Sequence, residues 1–276
     1  MSLNRIRTSL LISTYNWPAA LELCLKSILN QVQLPDEVLI ADDGSGPETK
    51  ALIDRYRALL PVPVKHIWHP DNGFQLAAIR NKAIVAAAHE YIIQIDGDLI
   101  LHPYFVKDHL KLATPNRFVS GSRLLLPQAY SEELLATREL PGYRDLIVRG
   151  NNRLNAIRIP VLTGLFAPHY KRSNKYYVKG CNMAFWRQDL LDVNGYNESI
   201  VGWGKEDSEI AVRLINKGVH RLFIKFGGIC YHIYHKIACK KRHDINEDIL
   251  QKTIDAGTVR CQNGIDAHFA ETVTVL

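Results

Sequence analysis

The chain has 276 residues, of which 47% are hydrophobic and 22% charged, with 17 glycines and 12 prolines. That composition excludes a disordered or fibrous chain, the length makes one large domain or two small ones, and no apolar stretch approaches the ~18 residues of a membrane span. A formal net charge of +6 leaves nucleic acid, membrane surfaces and anionic substrates open as partners, whereas five widely spaced cysteines without a CxxC speak against a disulfide framework or a zinc ribbon.

The N-terminal residues carry Arg5 and Arg7 before a short apolar run, which polar Thr14, Tyr15 and Asn16 follow at once. The run is too short for a secretory signal and reads as the first strand, over residues 9–12, of a cytoplasmic protein. Leu21, Cys24, Leu25, Ile28, Leu29 and Val32 then recur on one helical face, and Pro18 suits a first turn. Residues 38–41 form a second strand. A helix striped by Leu52, Tyr56, Leu59 and Leu60 stops before Pro61. Residues 64–68, 76–88 and 91–95 read as strand, helix and strand. Strands alternating with helices of this length predict an α/β fold with a mostly parallel central sheet.

After Gly121 the alternation stops, and residues 122–175 read as irregular, with Pro127, Pro141, Pro160 and Pro168. Between Leu146 and Tyr176 stand Arg149, Arg153, Arg158, Lys171, Arg172 and Lys175 with no acidic residue. Beyond it, residues 207–217 predict a helix ended by Gly218, and residues 221–229 a strand. Ile245, Ile249 and Ile254 mark one more helix in a polar tail. Three parts are expected: an α/β half over 1–121, a second half over 122–236 containing the basic loop 146–176, and a helical tail over 237–276.

Ligands of open α/β sheets bind beyond the carboxyl ends of the strands, so polar residues directly after apolar runs are the candidates. The first strand runs into Ser13, Thr14, Tyr15 and Asn16, and the second into Asp42, Asp43, Gly44 and Ser45. The acidic pair can accept hydrogen bonds from a base edge or ribose, and Gly44 permits a tight turn beside a ligand. An Asx turn capping the next helix is the alternative. The fourth strand ends in Asp96-Gly97-Asp98, two carboxylates of the kind that hold Mg²⁺ or Mn²⁺ beside substrate phosphates. Gly202-Trp203-Gly204-Lys205-Glu206-Asp207 offers an aromatic face on which a sugar can stack. Its carboxylates can bind hydroxyls, remove a proton or favour a helix N-terminus. His232 and His235 follow the last apolar run, and an imidazole beside oxygen ligands suits Mn²⁺ better than Ca²⁺.

These motifs, with Asn72-Gly73 and Arg80-Asn81, stand in the order and spacing of inverting family 2 glycosyltransferases of the GT-A fold. The segments 179–184 and 202–207 resemble the C-terminal galactosyltransferase-type module shared by animal β-1,4-galactosyltransferases and bacterial chondroitin-type polymerases. The resemblance covers about residues 8–236. It implies that Thr14, Asn16, Asp42, Asp43, Arg80 and Asp96 bind the nucleotide-sugar, Asp42 through uracil or ribose. It implies that Asp98 ligates Mn²⁺ (or Mg²⁺) with His232 or His235, and that Asp207 is the catalytic base beside Glu206. Trp203, Asn182 and Met183 fall on the acceptor side.

The implied reaction moves a sugar from a UDP-sugar to a glycan or lipid-linked glycan in cell-surface polysaccharide synthesis. The basic stretch then reads as an acceptor lid, a patch contacting anionic membrane at its inner face, or a solvated mobile loop. Nucleic acid is not an expected partner, because no nucleic-acid-binding signature accompanies the charge. Two rivals remain, a nucleotidyltransferase and a catalytically silent sugar-binding subunit. The first lacks a glycine-rich basic loop near the N-terminus, and the second does not need both Asp98 and Asp207.

Overall fold

The computed structural model describes residues 5–174, 176–236, 241–269 and 274–276. Strand β1 (Thr8–Thr14) leads into α1 (Pro18–Leu29), whose first-turn proline lacks an N–H where none is needed. The alternation continues through β2 (Glu37–Asp42), α2 (Pro47–Leu59), β3 (Val64–Trp68), α3 (Leu76–Ala86) and β4 (Tyr91–Asp96). Next come β5 (Leu99–Leu101), α4 (Phe105–Lys111), β6 (Arg117–Gly121) and β7 (Leu124–Leu125). Helices α5 (Gln128–Thr137), α6 (Tyr143–Arg149) and α7 (Pro160–Phe166) precede β8 (Asn182–Trp186). The chain ends with α8 (Arg187–Asp192), α9 (Glu206–Asn216), β9 (His220–Ile224), β10 (Cys230–His232) and α10 (His243–Asp255).

Seven strands form one sheet in the order β3-β2-β1-β4-β8-β6-β9. Strand β8 runs antiparallel to β4 and β6, and the remaining pairs are parallel. Side chains alternate across the sheet. Leu10, Ile12, Val38 and Ile40 pack with α1, α2 and α4 on one face. Leu11, Leu39, Met183 and Phe185 pack with α3, α8 and α9 on the other. Burial on both faces is why the strands are continuous apolar runs rather than alternating ones. The boundary expected at residue 121 falls at the end of β6, inside this sheet, so residues on both sides of it share one layer.

A second sheet has the order β5-β10-β7. Its Ile100, Leu124 and Tyr231 share a third core with Tyr130 and Leu134 of α5 and Leu146 of α6. Residues 122–175 are therefore not irregular. They carry three helices, each too short to declare a period: α5 and α6 cover the small sheet and α7 lies against β9, with Pro127 and Pro160 opening helices rather than breaking them. Two cations of the basic stretch are matched: Arg149 pairs with Glu133 at 2.6 Å, and Arg158 makes bonds of 2.7 and 2.9 Å to Asp108. Lys175 lies outside the described residues.

The strand expected over 221–229 divides into β9 and β10, because Phe226 (φ 62°) and Gly228 (φ 57°) turn the chain between sheets. In α10 the buried positions are Asn246, Leu250 and Thr253, while Ile245 is exposed. Cys24, Cys181, Cys230 and Cys261 are free and buried, and Cys239 lies outside the described residues. No described helix is long and apolar enough to cross a membrane.

Candidate active site

A cleft of about 720 Å³ opens where β1 and β4 end, walled by the start of α9 and the end of β10. Two groups of charged side chains face each other in it.

The first group is built by the small sheet. Strand β10 pairs antiparallel with β5 so that His232 stands opposite Leu99, and the Ile233 N–H donates to the Asp98 carbonyl at 3.0 Å. That register brings the Asp98 Oδ2 within 3.4 Å of His232 Nε2 and 3.2 Å of His235 Nε2. One ligand atom from each of the three lies within 4.8 Å of the others. The His235 Nδ1 meets the Lys236 carbonyl at 2.8 Å, which turns Nε2 toward Asp98, and Trp17 packs edge-on against the ring at 5.8 Å. The other Asp98 oxygen, Oδ1, is buried without a hydrogen-bond partner. Burial works against the Asp98 charge, but the His235 bond and the nearby His232 hold its carboxyl below the usual range. Burial likewise depresses His232, and the bond to Asp98 raises His235. One carboxylate and two imidazoles, with an orphaned buried oxygen among them, fit a divalent cation such as Mn²⁺.

The second group centres on Arg80 of α3, which is 1% exposed. Its Nε donates to Ser13 Oγ at 3.1 Å, its Nη1 to Asp207 Oδ1 at 2.9 Å and its Nη2 to Asp96 Oδ1 at 3.0 Å. Glu206 Oε1 lies 3.6 Å from Nη1. Burial pushes Asp96 up to about 6, aided by Asp98 and Asp207 and opposed by Arg80. Burial and the adjoining Asp207 push Glu206 up to about 8, so it keeps a proton at neutral pH. Asp207 stands in the first turn of α9, and Gly180 makes room for it: a Cβ on Gly180 would lie 1.8 Å from Asp207 Oδ2.

Thr14, Asp43, Asp96, Asp98, Trp203, Glu206, Asp207, His232 and His235 all line the cleft. Five other candidates stand elsewhere or are already engaged. Asp42 ends β2 on the face of Val38 and Ile40, is 0% exposed, and is held by His66 at 2.8 Å and the Ser45 N–H at 2.8 Å. The cleft-facing member of the pair is Asp43, braced by His69 at 2.7 Å and the Gln75 N–H at 2.9 Å. Asn16 does not line the cleft: its Oδ1 accepts from the Gly46 N–H at 2.9 Å and ties two loops together. Asn182 is fully buried, with His109 on Oδ1 and the Ser122 and Gly228 carbonyls on Nδ2. Met183 is fully buried in the sheet core, so neither residue reaches an acceptor. Arg80 borders the cleft, and its nitrogens donate to the side chains of Ser13, Asp207 and Asp96. Gly44 is required as expected: φ is +99°, and a Cβ there would lie 2.6 Å from Asp71 Cα.

Sequence reasoning did not single out Arg123, and gave no role to Lys179 and Cys181 of the segment 179–184; all three stand on the cleft wall. Arg123 follows the buried Phe118-Val119 run by a few residues, the same strand-end signal that singled out Asp98.

The family model described as glycosyl transferase family 2 matches residues 9–177, and the one described as N-terminal domain of galactosyltransferase matches residues 161–236. The chain is 26% identical over 240 residues to the chondroitin synthase of Escherichia coli, covering 81% of this chain and 34% of that protein. It is 25% identical over 231 residues to the hyaluronan synthase of Pasteurella multocida, covering 76% of this chain and 23% of that protein. The chain thus spans about a third or less of the length of these relatives. Among solved structures, the mannosyltransferase PcManGT from Pyrobaculum calidifontis in complex with GDP-Man and Mn²⁺ superposes with a TM-score of 0.59 at 19% identity, covering 85% of this chain and 59% of that one. S. aureus TarS 1–349 in complex with UDP-GlcNAc superposes with a TM-score of 0.62 at 16% identity, covering 95% and 69%. The fold is GT-A.

Proposed function

Because the chain belongs to glycosyl transferase family 2, we propose that it transfers one sugar from a UDP-sugar to a hydroxyl of a glycan or lipid-linked glycan, with inversion, in polysaccharide synthesis. The observation that carries the reading is the buried, unpartnered Asp98 Oδ1 beside two imidazoles, across the cleft from Asp207.

Asp98, His232 and His235 would hold the divalent cation, which when bound supplies positive charge to the donor diphosphate. Asp43 and Thr14 face the nucleoside, and Asp96 the ribose or donor sugar. Trp203 is 37% exposed at the rim, stacks on His243 at 6.2 Å, and stands on the acceptor side. The acceptor hydroxyl gives its proton to Asp207 Oδ2. Its oxygen attacks the anomeric carbon, and UDP departs on the opposite face with the bonding electron pair. Arg80 grips the other Asp207 oxygen and fixes the direction of Oδ2. Glu206, protonated at neutral pH, does not compete as the base.

A thermal-shift series with UDP, GDP and UDP-sugars, each with and without Mn²⁺, tests the donor reading. Stabilisation by UDP compounds that requires Mn²⁺ is expected, together with UDP release when mixed glycan acceptors are added. Equal response with and without the metal would refute the assignment of Asp98.

A further inference from the structure

Arg123 is a cation of the cleft that none of the assignments above uses. It follows β6 and directly precedes β7, whose Leu124 and Leu125 pair with Tyr231 and His232 of β10. The chain therefore delivers Arg123 to the strand edge that carries His232. Its guanidinium has one polar contact among the described residues, Nη1 to Cys181 Sγ at 3.1 Å. A thiol is a weak acceptor, and a guanidinium carries five N–H donors in a rigid fork. Half-buried charges of this kind are normally matched by a carboxylate. Arg80, Arg158 and Arg213 show the pattern in this chain, each bonded to at least one. Arg123 has no such partner among the described residues, yet its charge is felt by Asp96, Asp98 and His232. The backbone behind it is fixed, because Asn155 Nδ2 donates to the Arg123 carbonyl at 3.2 Å.

We propose that Arg123 is a diphosphate-binding residue, its open N–H groups donating to the phosphate oxygens of the nucleotide-sugar beside the Asp98, His232 and His235 corner. The inference rests on the donor reading above and adds a contact to it. A planar fork matches two phosphate oxygens at once, which a point charge cannot do. The diphosphate becomes more negative as the sugar bond breaks, so a fixed donor aimed at it gains strength as UDP departs. Cys181 is then a neutral rest for the guanidinium: burial pushes its thiol up to about 12, so it does not compete as an anion.

Calorimetric titration of the full chain with UDP in Mn²⁺, and ligand-observed NMR with uridine, test this without any acceptor. Arg123→Met should weaken UDP about 10–100-fold, as expected for losing hydrogen bonds to a charged group, and should leave uridine within about twofold. Arg123→Lys keeps the charge without the fork and should fall between the two. It also serves as the test if the Met variant does not fold, since an unchanged UDP affinity in a folded Lys variant denies the fork. UDP binding at wild-type strength in Arg123→Met would overturn the proposal. If the unaltered chain binds neither UDP nor uridine with Mn²⁺, the donor reading fails instead, and the assignment of Arg123 falls with it.

Discussion

The two ends of the cleft carry their acids in opposite states. Around Arg80, one buried guanidinium reaches the carboxylates of Asp96 and Asp207 by hydrogen bonds and lies 3.6 Å from the protonated Glu206. Around Asp98, two imidazoles approach one carboxylate oxygen and the other oxygen has no partner. In the first arrangement a cation is already seated between Asp96 and Asp207, and the unpartnered oxygen there, Glu206 Oε2, belongs to an acid that burial keeps protonated. The second is incomplete in the way that a cation would complete. Counting acids would rank the Arg80 end first as a metal site, whereas the guanidinium already bound to its acids and the unpartnered Oδ1 of Asp98 reverse the order.

The difference can be broken from either end. The largest effect is expected at Asp207: Asp207→Asn should cut turnover ~10²–10⁴-fold while Mn²⁺-dependent UDP binding persists. Gly180→Ala should act in the same direction, since its methyl would occupy the space of Asp207 Oδ2. Steady-state kinetics beside a UDP titration separate the two readouts, and a wild-type rate in Asp207→Asn would remove it as the base. Next comes Arg80→Leu, which leaves buried carboxylates without their cation. A loss of about 3–5 kcal/mol is expected, seen as a melting point lower by several degrees.

The third prediction concerns pH. Glu206 is raised from its ordinary 4.5 to about 8, so the folded chain keeps a proton that the unfolded chain releases. Stability from this group therefore falls as pH rises from about 4.5 to about 8. Glu206→Gln should melt higher than the parent at pH 8 by the equivalent of a few kcal/mol, with the gap closing toward pH 5. A gap independent of pH would show that Glu206 is ionised throughout. The smallest effect is expected at the other end: His235 is half exposed, so His235→Ala should change stability by only about 0.5 kcal/mol without metal. It should nevertheless abolish most of the added stability that Mn²⁺ gives the parent.

The parallel half of the fold was legible because β1, β2 and β4 are buried on both faces and so carry mostly apolar residues in short runs. Strand β8 was not, because it opens on Asn182, a polar residue whose burial depends on partners from three distant segments. The meeting of Asp98 with His232 and His235 was legible through their places directly after apolar runs and the three-residue spacing of the histidines. Which of Asp42 and Asp43 faces the cleft depends on where β2 ends, and a one-residue difference in strand end reverses the answer. Arg80 was found as a site residue, but its role depends on three acids far away in sequence. Position alone could have drawn notice to Arg123, since it too follows an apolar strand.

The reversed direction of β8 has a consequence for how the molecule comes together. Ile93 and Ile95 in β4 find their neighbours Ala184 and Asn182 only after the intervening helices have been made. Pairing across so long a stretch of chain is slow to form. Until it does, β4 is an open, greasy border at which another copy can dock. A fragment cut at residue 177, where the first family match stops, would keep that border permanently and should precipitate, even though it contains every residue of the DxD motif.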